Sequence, residues 1–361
     1  MDHAARRARL RRRLDEAGVD ALLVTRLVNV RYLTGFTGSA GRLLVTADAA
    51  DDVVVTDGRY REQIAAEVTG IERHESRGTE WLAGRLGARR RLGVESHALS
   101  WDAARGLVQA LDGVEVVPAP HYVEALRAVK DEAELNAIRR ACAATDAAVT
   151  TVLDELRPGA SERAVARRLD DELRARADGP AFETIVASGP STARPHHRPG
   201  DRLLAAGDPV LMDLGAAVDG YASDLTRTVV LAAPGHAVHP GWRRLYDAVL
   251  GAQRAGLAAA VAGATAGAVD AACRERIAAA GLGERFVHPT GHGLGLEVHE
   301  EPILREGATD RLAARTTITV EPGVYVPGLG GVRIEDTVVV GPPGSEPEVL
   351  TLTPTDLRAV T

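Results

Sequence analysis

The stretch PVLMDLGAAVDGYASDLTRTVV, residues 209–230, decides how the second half of the chain is read. Two β-rich runs flank Asp219-Gly220, and Asp-Gly between such runs is a strong signal for a two-residue hairpin turn. A hairpin here lets Asp213 and Asp224 lie on adjacent antiparallel strands, so that two carboxylates converge. Downstream, TTITVEPGVYVPGLGGVRIEDTVVV (316–340) alternates with a period of two. Ile318, Val320, Val332 and Ile334 form one apolar face, and Thr319, Glu321, Arg333 and Glu335 the other. A single strand face of this kind reads as solvated surface. Several of them in one domain, with a histidine motif between, read as the lining of a polar site.

That motif is FVHPTGHGLGLEVHEEP, residues 286–302, in which His288, His292 and His299 are set among glycines. His288 and His292 have the spacing of a helical zinc pair, but Pro289 and Gly291 between them argue against a helix. The Gly-x-Gly runs lack the strand-to-helix turn of a nucleotide fingerprint. Gathering Asp213, Asp224, Glu321 and Glu335 around the imidazole of His292 in a water-poor cleft would be prohibitive without countercharge, and two divalent cations cancel it. Oxygen ligands with one nitrogen suit Mn²⁺ or Co²⁺, tolerate Zn²⁺ or Fe²⁺, and fit an all-oxygen Mg²⁺ or Ca²⁺ site less well.

Working outward, the 361 residues exceed what one hydrophobic core usually sustains, which implies two domains. From 20 to about 120, the runs ALLVT (21), RLLVT (42), VVVT (53) and VEVV (114) alternate with the helical stretches REQIAAEV (61–68) and WDAARGLVQAL (101–111), the pattern of an α/β domain. KDEAELNAIRRACAATDAAVTTVLDEL (130–156) opens on Asp131 and Glu134 at capping-box spacing and predicts a long helix. The boundary is placed before it, giving domains 1–125 and 126–361. The second is read as an α+β domain of two similar halves, each with two helices and paired strands; the later helices are expected at about 240–262 and 266–280, closed by Gly281. GPSTARPHHRPGDR (189–202) is a loop by composition, carrying the adjacent pair His196 and His197.

The net charge of −7, with 26% charged and 45% hydrophobic residues, gives no electrostatic case for nucleic acid or an anionic membrane. Lys130 is the only lysine. The arginines from Arg6 to Arg13 read as the solvated face of an amphipathic first helix with Leu10 and Leu14 inward. No run approaches a membrane span and no signal-peptide pattern follows the basic start, so the cytoplasm is expected. Cys142 and Cys273, far apart in helical segments, read as buried, inert thiols.

The segments MDLGAAVDGYASDLTRT (212–228), GHGLGLEVHEEP (291–302), TVEPGVY (319–325) and GVRIEDTVVV (331–340) resemble the successive signatures of the creatinase-fold, or pita-bread, metallopeptidases, in particular the Xaa-Pro aminopeptidases and prolidases. NVRYLTGFTGSAG (29–41) and TDGRYREQ (56–63) are similar to that family's N-terminal domain. The resemblance implies that Asp213 binds one of two metals, that Asp224 and Glu335 bridge both, and that His292 and Glu321 complete the set. It further implies that Glu321 takes the proton of the attacking water, that His299 stabilises the tetrahedral intermediate, and that His196 contacts substrate near the scissile bond. His288 resembles a histidine close to substrate or product, with a satisfied core histidine as the plainer reading. The register of the loop leaves His196 and His197 open, the loser being a solvated loop residue. Arg333 reads equally as a substrate contact or as a partner of a neighbouring carboxylate, and Tyr221 as packing.

The implied activity is hydrolysis of the bond between an N-terminal residue and proline, by a homodimer that uses manganese. A strict Xaa-Pro dipeptidase is the nearest alternative. A metal-independent creatinase-like hydrolase and a non-catalytic interaction module are the others, and the complete ligand set argues against both.

Overall fold

A computed structural model describes residues 1–232 and 238–360, and the chain divides into two compact units, residues 1–127 and 128–361. In the first, α1 (His3–Glu16) and β1 (Ala21–Val24) precede α2 (Leu27–Thr34), β2 (Arg42–Thr46) and β3 (Val53–Thr56). Then follow α3 (Arg61–Glu67), β4 (Glu72–Glu75), α4 (Glu80–Leu86), β5 (Arg91–Val94), α5 (Trp101–Ala110) and β6 (Glu115–Pro118). The six strands form one sheet in the order β4-β3-β2-β1-β5-β6, antiparallel from β1 to β3 and parallel elsewhere. Strands β1 and β3 are buried along their whole length, which is why ALLV and VVVT are unbroken apolar runs rather than alternating ones. The edge strand β4, ERHE, carries no such signal and is mostly exposed.

Helix α1 corrects the expectation of a wholly solvated arginine face. Leu10 and Leu14 are buried as expected, but so are Arg6 and Arg7. The Arg6 guanidinium lies 4.2 Å over the Tyr32 ring and donates to the Tyr32 carbonyl, while Arg7 pairs with Asp52 at 3.2 Å. Helical periodicity marks which face turns inward. It does not show that an aromatic ring and an acid wait there to receive arginine.

The second unit begins beyond the short helix α6 (Glu124–Ala128) with α7 (Glu132–Glu155). Asp131 caps it as the spacing predicts, accepting from the Glu134 backbone while Glu134 returns a bond to the Asp131 N–H, each at 2.9 Å. Next come α8 (Glu162–Arg176), β7 (Gly179–Pro180), β8 (Ile185–Ser188), β9 (Pro209–Leu214), β10 (Ala216–Val218), β11 (Tyr221–Ala222) and β12 (Leu225–Leu231). The second half repeats the scheme with α9 (Pro240–Ala259), α10 (Ala266–Ala279), β13 (Gly291–Gly293), β14 (Glu300–Leu304), β15 (Thr317–Val320), β16 (Gly323–Val326), β17 (Gly330–Arg333) and β18 (Asp336–Val339), then the short β19 (Glu348–Val349) and β20 (Ala359–Val360).

Each half packs a helix pair on a sheet. Val149, Val152, Leu169 and Leu173 from α7 and α8 meet Val210, Met212 and Leu225 of the β20-β12-β9-β8 sheet. Leu245, Val249, Val269 and Cys273 from α9 and α10 meet Ile318, Val320 and Val338 of the β14-β13-β15-β18-β19 sheet. The halves are tied where Arg227 reaches Asp336 at 2.7 Å, both side chains almost fully buried. Among the described residues, no helix is long and apolar enough to cross a membrane.

A testable consequence lies in the first unit. Burial pushes the Glu124 carboxyl up, but hydrogen bonds from Asn29 at 2.7 Å and Arg26 at 2.6 Å outweigh it and bring its pKa to about 2. A carboxyl depressed on folding contributes stability that is full above its unfolded value, near 4.5, and is lost as the pH falls towards 2. Glu124→Gln should therefore cost up to roughly 3 kcal/mol at neutral pH and progressively less on acidification. Chemical unfolding of both chains at pH 7 and pH 3 checks this; an unchanged gap would show that the ionised carboxylate is not the source.

Candidate metal centre

The Asp219-Gly220 turn forms with positive φ at both residues, 52° and 78°, pairing Val218 with Tyr221 across the hairpin tip. Below it, β9 and β12 run antiparallel with Asp213 opposite Thr226, so Asp213 and Asp224 arrive side by side. In the other half, β15 pairs not with β17 but with β18, in a register that sets Val320 opposite Asp336. Glu321 and Glu335, one step beyond that pair, therefore leave two neighbouring strands together. Their apolar alternates Ile318, Val320, Val332 and Ile334 are fully buried in the core.

His292 comes from β13, an extended segment rather than a helix. Its flanking glycines are demanded by close approach: a Cβ on Gly291 would lie 2.0 Å from the Thr319 carbonyl oxygen, and one on Gly293 would lie 2.2 Å from that of Glu301. Nδ1 of His292 is 3.0 Å from the Gly293 carbonyl and can donate to it, which turns Nε2 towards the acids: it carries a proton towards Glu321 in the metal-free chain, and offers a lone pair once that proton leaves. That nitrogen lies 3.2 Å from Glu321 Oε1 and 3.7 Å from Asp224 Oδ2.

Asp213, Asp224, His292, Glu321, Glu335, His196, His288, His299 and Arg333 all line one cavity of about 410 Å³ within the second unit. Ligand atoms of Asp224, His292 and Glu335 fall within 4.8 Å of one another. Burial and then mutual repulsion push the carboxyls of Asp224 and Glu335 far above the usual range, and burial raises Asp213. Glu321 is pushed up by burial too, but its bond to His292 prevails and holds it at about 2.

Hydrogen bonding decides what this cluster lacks. Asp336, adjacent to Glu335 and equally buried, has both oxygens satisfied: Arg227 and Thr351 donate to one at 2.7 Å each, and Gln253 donates to the other. Glu335 receives Thr226 Oγ1 at 2.7 Å on Oε2, yet its Oε1 is buried with no partner, and so is Oδ1 of Asp224. Such orphaned oxygens are costly unless a cation takes them. The donor set of carboxylates and one imidazole fits divalent metal. In the first unit, His97, His121 and Glu124 also lie close together, but Arg26 and Asn29 already occupy Glu124 Oε1, so a cation meets a competing guanidinium there.

Arg333 is committed to protein groups: Asp213 at 2.5 Å, the Tyr325 hydroxyl at 2.8 Å and Thr226 Oγ1 at 3.1 Å. His288 bonds the same Tyr325 hydroxyl at 2.9 Å. The ring of His299 sits 4.3 Å from that of His292. Of the two loop histidines, His196 faces the cavity; His197 is not a solvated loop residue but lies buried against Glu162 at 2.7 Å. Tyr221 is buried and donates to Glu134. Sequence reading missed Tyr325, which the TVEPGVY segment contained, and Thr226, whose hydroxyl nothing in the pattern singled out. It also missed the apolar walls Phe182, Ile185 and Ile303.

Residues 136–342 match the model of metallopeptidase family M24, and residues 6–129 match that of the creatinase/prolidase N-terminal domain. The chain belongs to metallopeptidase family M24. It is 39% identical over 338 residues to the peptidase YqhT of Bacillus subtilis, covering 92% of this chain and 94% of that one. Its fold matches a solved Xaa-Pro dipeptidase from Bacillus anthracis with a TM-score of 0.92 and 36% identity, over 99% of both chains. It also matches an X-Pro aminopeptidase from Thermotoga maritima with a TM-score of 0.86 and 31% identity, over 96% of this chain and all of that one. The architecture is thus a creatinase-type α/β domain followed by the pita-bread catalytic domain, and the chain is a metallopeptidase of a family that uses divalent metals.

Glu335→Gln should abolish stoichiometric divalent-metal binding and yet stabilise the metal-free chain by about 1–3 kcal/mol, because it replaces a buried carboxyl, pushed far above its usual range, that must take up a proton to fold at neutral pH. Calorimetric metal titration beside thermal unfolding in chelator would show both effects; a metal-free variant less stable than the parent would contradict the charge argument.

Proposed function

We propose that the chain hydrolyses the bond between an N-terminal residue and proline, as an Xaa-Pro aminopeptidase using two metal ions, Mn²⁺ foremost, held by Asp213, Asp224, His292, Glu321 and Glu335. The observation that carries this is the buried cluster of acids around one imidazole, with oxygens of Asp224 and Glu335 left unpartnered. Residues 1–125 are taken as the creatinase-like domain and 126–361 as the catalytic one.

Bound there, divalent cations would supply the Lewis acidity that polarises a carbonyl and makes water acidic at neutral pH. The protein does the rest. Glu321, a carboxylate beside the cations, can accept the water's proton on a carboxylate oxygen. His299, kept neutral by burial and by the nearby His292, retains one N–H to donate to a developing oxyanion. His196 approaches from the loop side and His288 from beside Tyr325. Arg333 contributes mainly by holding Asp213, and only secondarily as a substrate contact. The walls Phe182, Ile185, Val298 and Ile303 suit an apolar residue and the proline ring. Proline makes the scissile bond a tertiary amide without N–H, so a site that recognises the bond by its carbonyl and not by an amide donor is matched to it.

The second reading, a strict dipeptidase, is favoured by the greater similarity to the B. anthracis Xaa-Pro dipeptidase than to the T. maritima X-Pro aminopeptidase. The free, buried thiols of Cys142 and Cys273 support a reducing, cytoplasmic setting. Homodimerisation completes the reading, on the family resemblance.

Chelation should abolish cleavage and Mn²⁺ should restore it. Ala-Pro and Ala-Pro-extended peptides, assayed side by side, should both be cleaved, with Ala-Ala resisting; cleavage of the dipeptide alone would establish the dipeptidase, and activity that survives chelation would remove the metal from the account.

A further inference from the structure

The loop 194–200 has no strand partner, yet it must hold His196 over the metal-ligand cluster. Among the described residues, no hydrogen bond is seen from the His196 ring itself, so its position is set by its neighbours. On one side the Pro195 carbonyl accepts from Arg333 at 3.3 Å. On the other, His197 turns away from the cavity and meets Glu162 Oε2 at 2.7 Å, with only 9% and 1% of the two side chains exposed.

Glu162 is the first residue of α8, where the helix N-terminus favours a carboxylate. Its other contacts bind both stems of the same loop. Oε1 accepts from the Ser188 N–H at 2.8 Å and the Ser188 hydroxyl at 2.9 Å, at the end of β8, and Oε2 accepts from the Gly200 N–H at 3.2 Å. Burial pushes this carboxyl up, but the donors around it, His197 foremost, overcome that and lower it. A single ionised carboxylate thus fixes the strand before the loop, the residue after His196 and the loop's exit. From this geometry we infer that Glu162 and His197 form a latch that positions His196 for substrate, making Glu162 and His197 positioning residues for the reaction proposed above, on which the inference rests.

The test compares the full-length parent with His197→Ala, Glu162→Gln, Glu162→Ala, His196→Ala and the double variant His196→Ala/His197→Ala, all loaded with Mn²⁺. His197→Ala removes one donor and leaves the Ser188 and Gly200 bonds, so it keeps the test alive if Glu162→Ala fails to fold. By hydrogen exchange, the Gly200 amide, which shares Glu162 Oε2 with His197, should lose protection outright in Glu162→Ala and in part in His197→Ala, as the carboxylate loosens, while α8 and the strands keep theirs. On an Xaa-Pro peptide the parent cleaves, kcat should fall about 10- to 100-fold with KM little changed and metal content intact. Glu162→Gln, which keeps an acceptor for Ser188, should lose less than Glu162→Ala. In the His196→Ala background the second substitution should have under about a twofold effect, since the residue it positions is gone. Unchanged exchange in the loop, or losses that multiply in the double variant, would overturn the latch. A parent that cleaves no Xaa-Pro peptide would overturn the proposed function instead, and the exchange comparison would then decide the latch by itself.

Discussion

Four carboxylates facing one imidazole, two of them buried and two half-buried, are the constraint around which the second unit is built. Without countercharge the cluster destabilises the fold, as the upward displacement of the Asp224 and Glu335 carboxyls records. The surroundings relieve it only in part. Arg333 neutralises Asp213, His292 neutralises Glu321, and Thr226 gives Glu335 one hydrogen bond. What is left over is concentrated on two oxygens that no protein donor reaches. Such selective relief places the unmet charge at one point and fixes the side chains around it, which is what a preorganised cation site requires.

The scaffold supplies rigidity from both directions. Each half contributes cavity-lining side chains from the ends of strands whose other faces are sealed by a helix pair, so Asp213 and Asp224 move with one core and His292, Glu321 and Glu335 with the other. The backbone bond from Glu335 N–H to the Thr226 carbonyl, at 3.1 Å, joins the two sheets beside the site. Relative sliding of the halves would therefore break a buried bond and the Arg227–Asp336 pair together.

Most of this was legible in the sequence because it rests on local signals. The Asp219-Gly220 turn, the period-two alternation around Glu321 and Glu335, the glycines around His292 and the Asp131 capping box each act within a few residues of themselves. What was not legible depended on distant chain. Arg6 and Arg7 read as solvated because Tyr32 and Asp52 are not their neighbours in sequence. His197 read as the spare of two loop histidines because Glu162, its partner, lies 35 residues earlier at the start of a helix. Pairing of β15 with β18 rather than β17 was equally hidden, since alternation specifies which face is apolar and leaves the choice of partner strand open.

Residues Glu335 and Asp336 show how finely the division between structural and chemical roles is drawn. They are consecutive, both acidic and both buried, and strand geometry sends them to opposite faces. Asp336 meets Arg227, Thr351 and Gln253 and is fully satisfied, whereas Glu335 meets the other carboxylates and is not. A slip of one residue in the β15–β18 register would exchange them, leaving Arg227 opposite the cavity and an acid short of the cluster. The buried alternation of Ile318, Val320, Ile334 and Val338 forbids that slip, because it would turn these side chains towards the polar cavity. The hydrophobic pattern of the strands thus maintains the electrostatics of the site, and a core residue outside the acidic cluster bears on it through register alone.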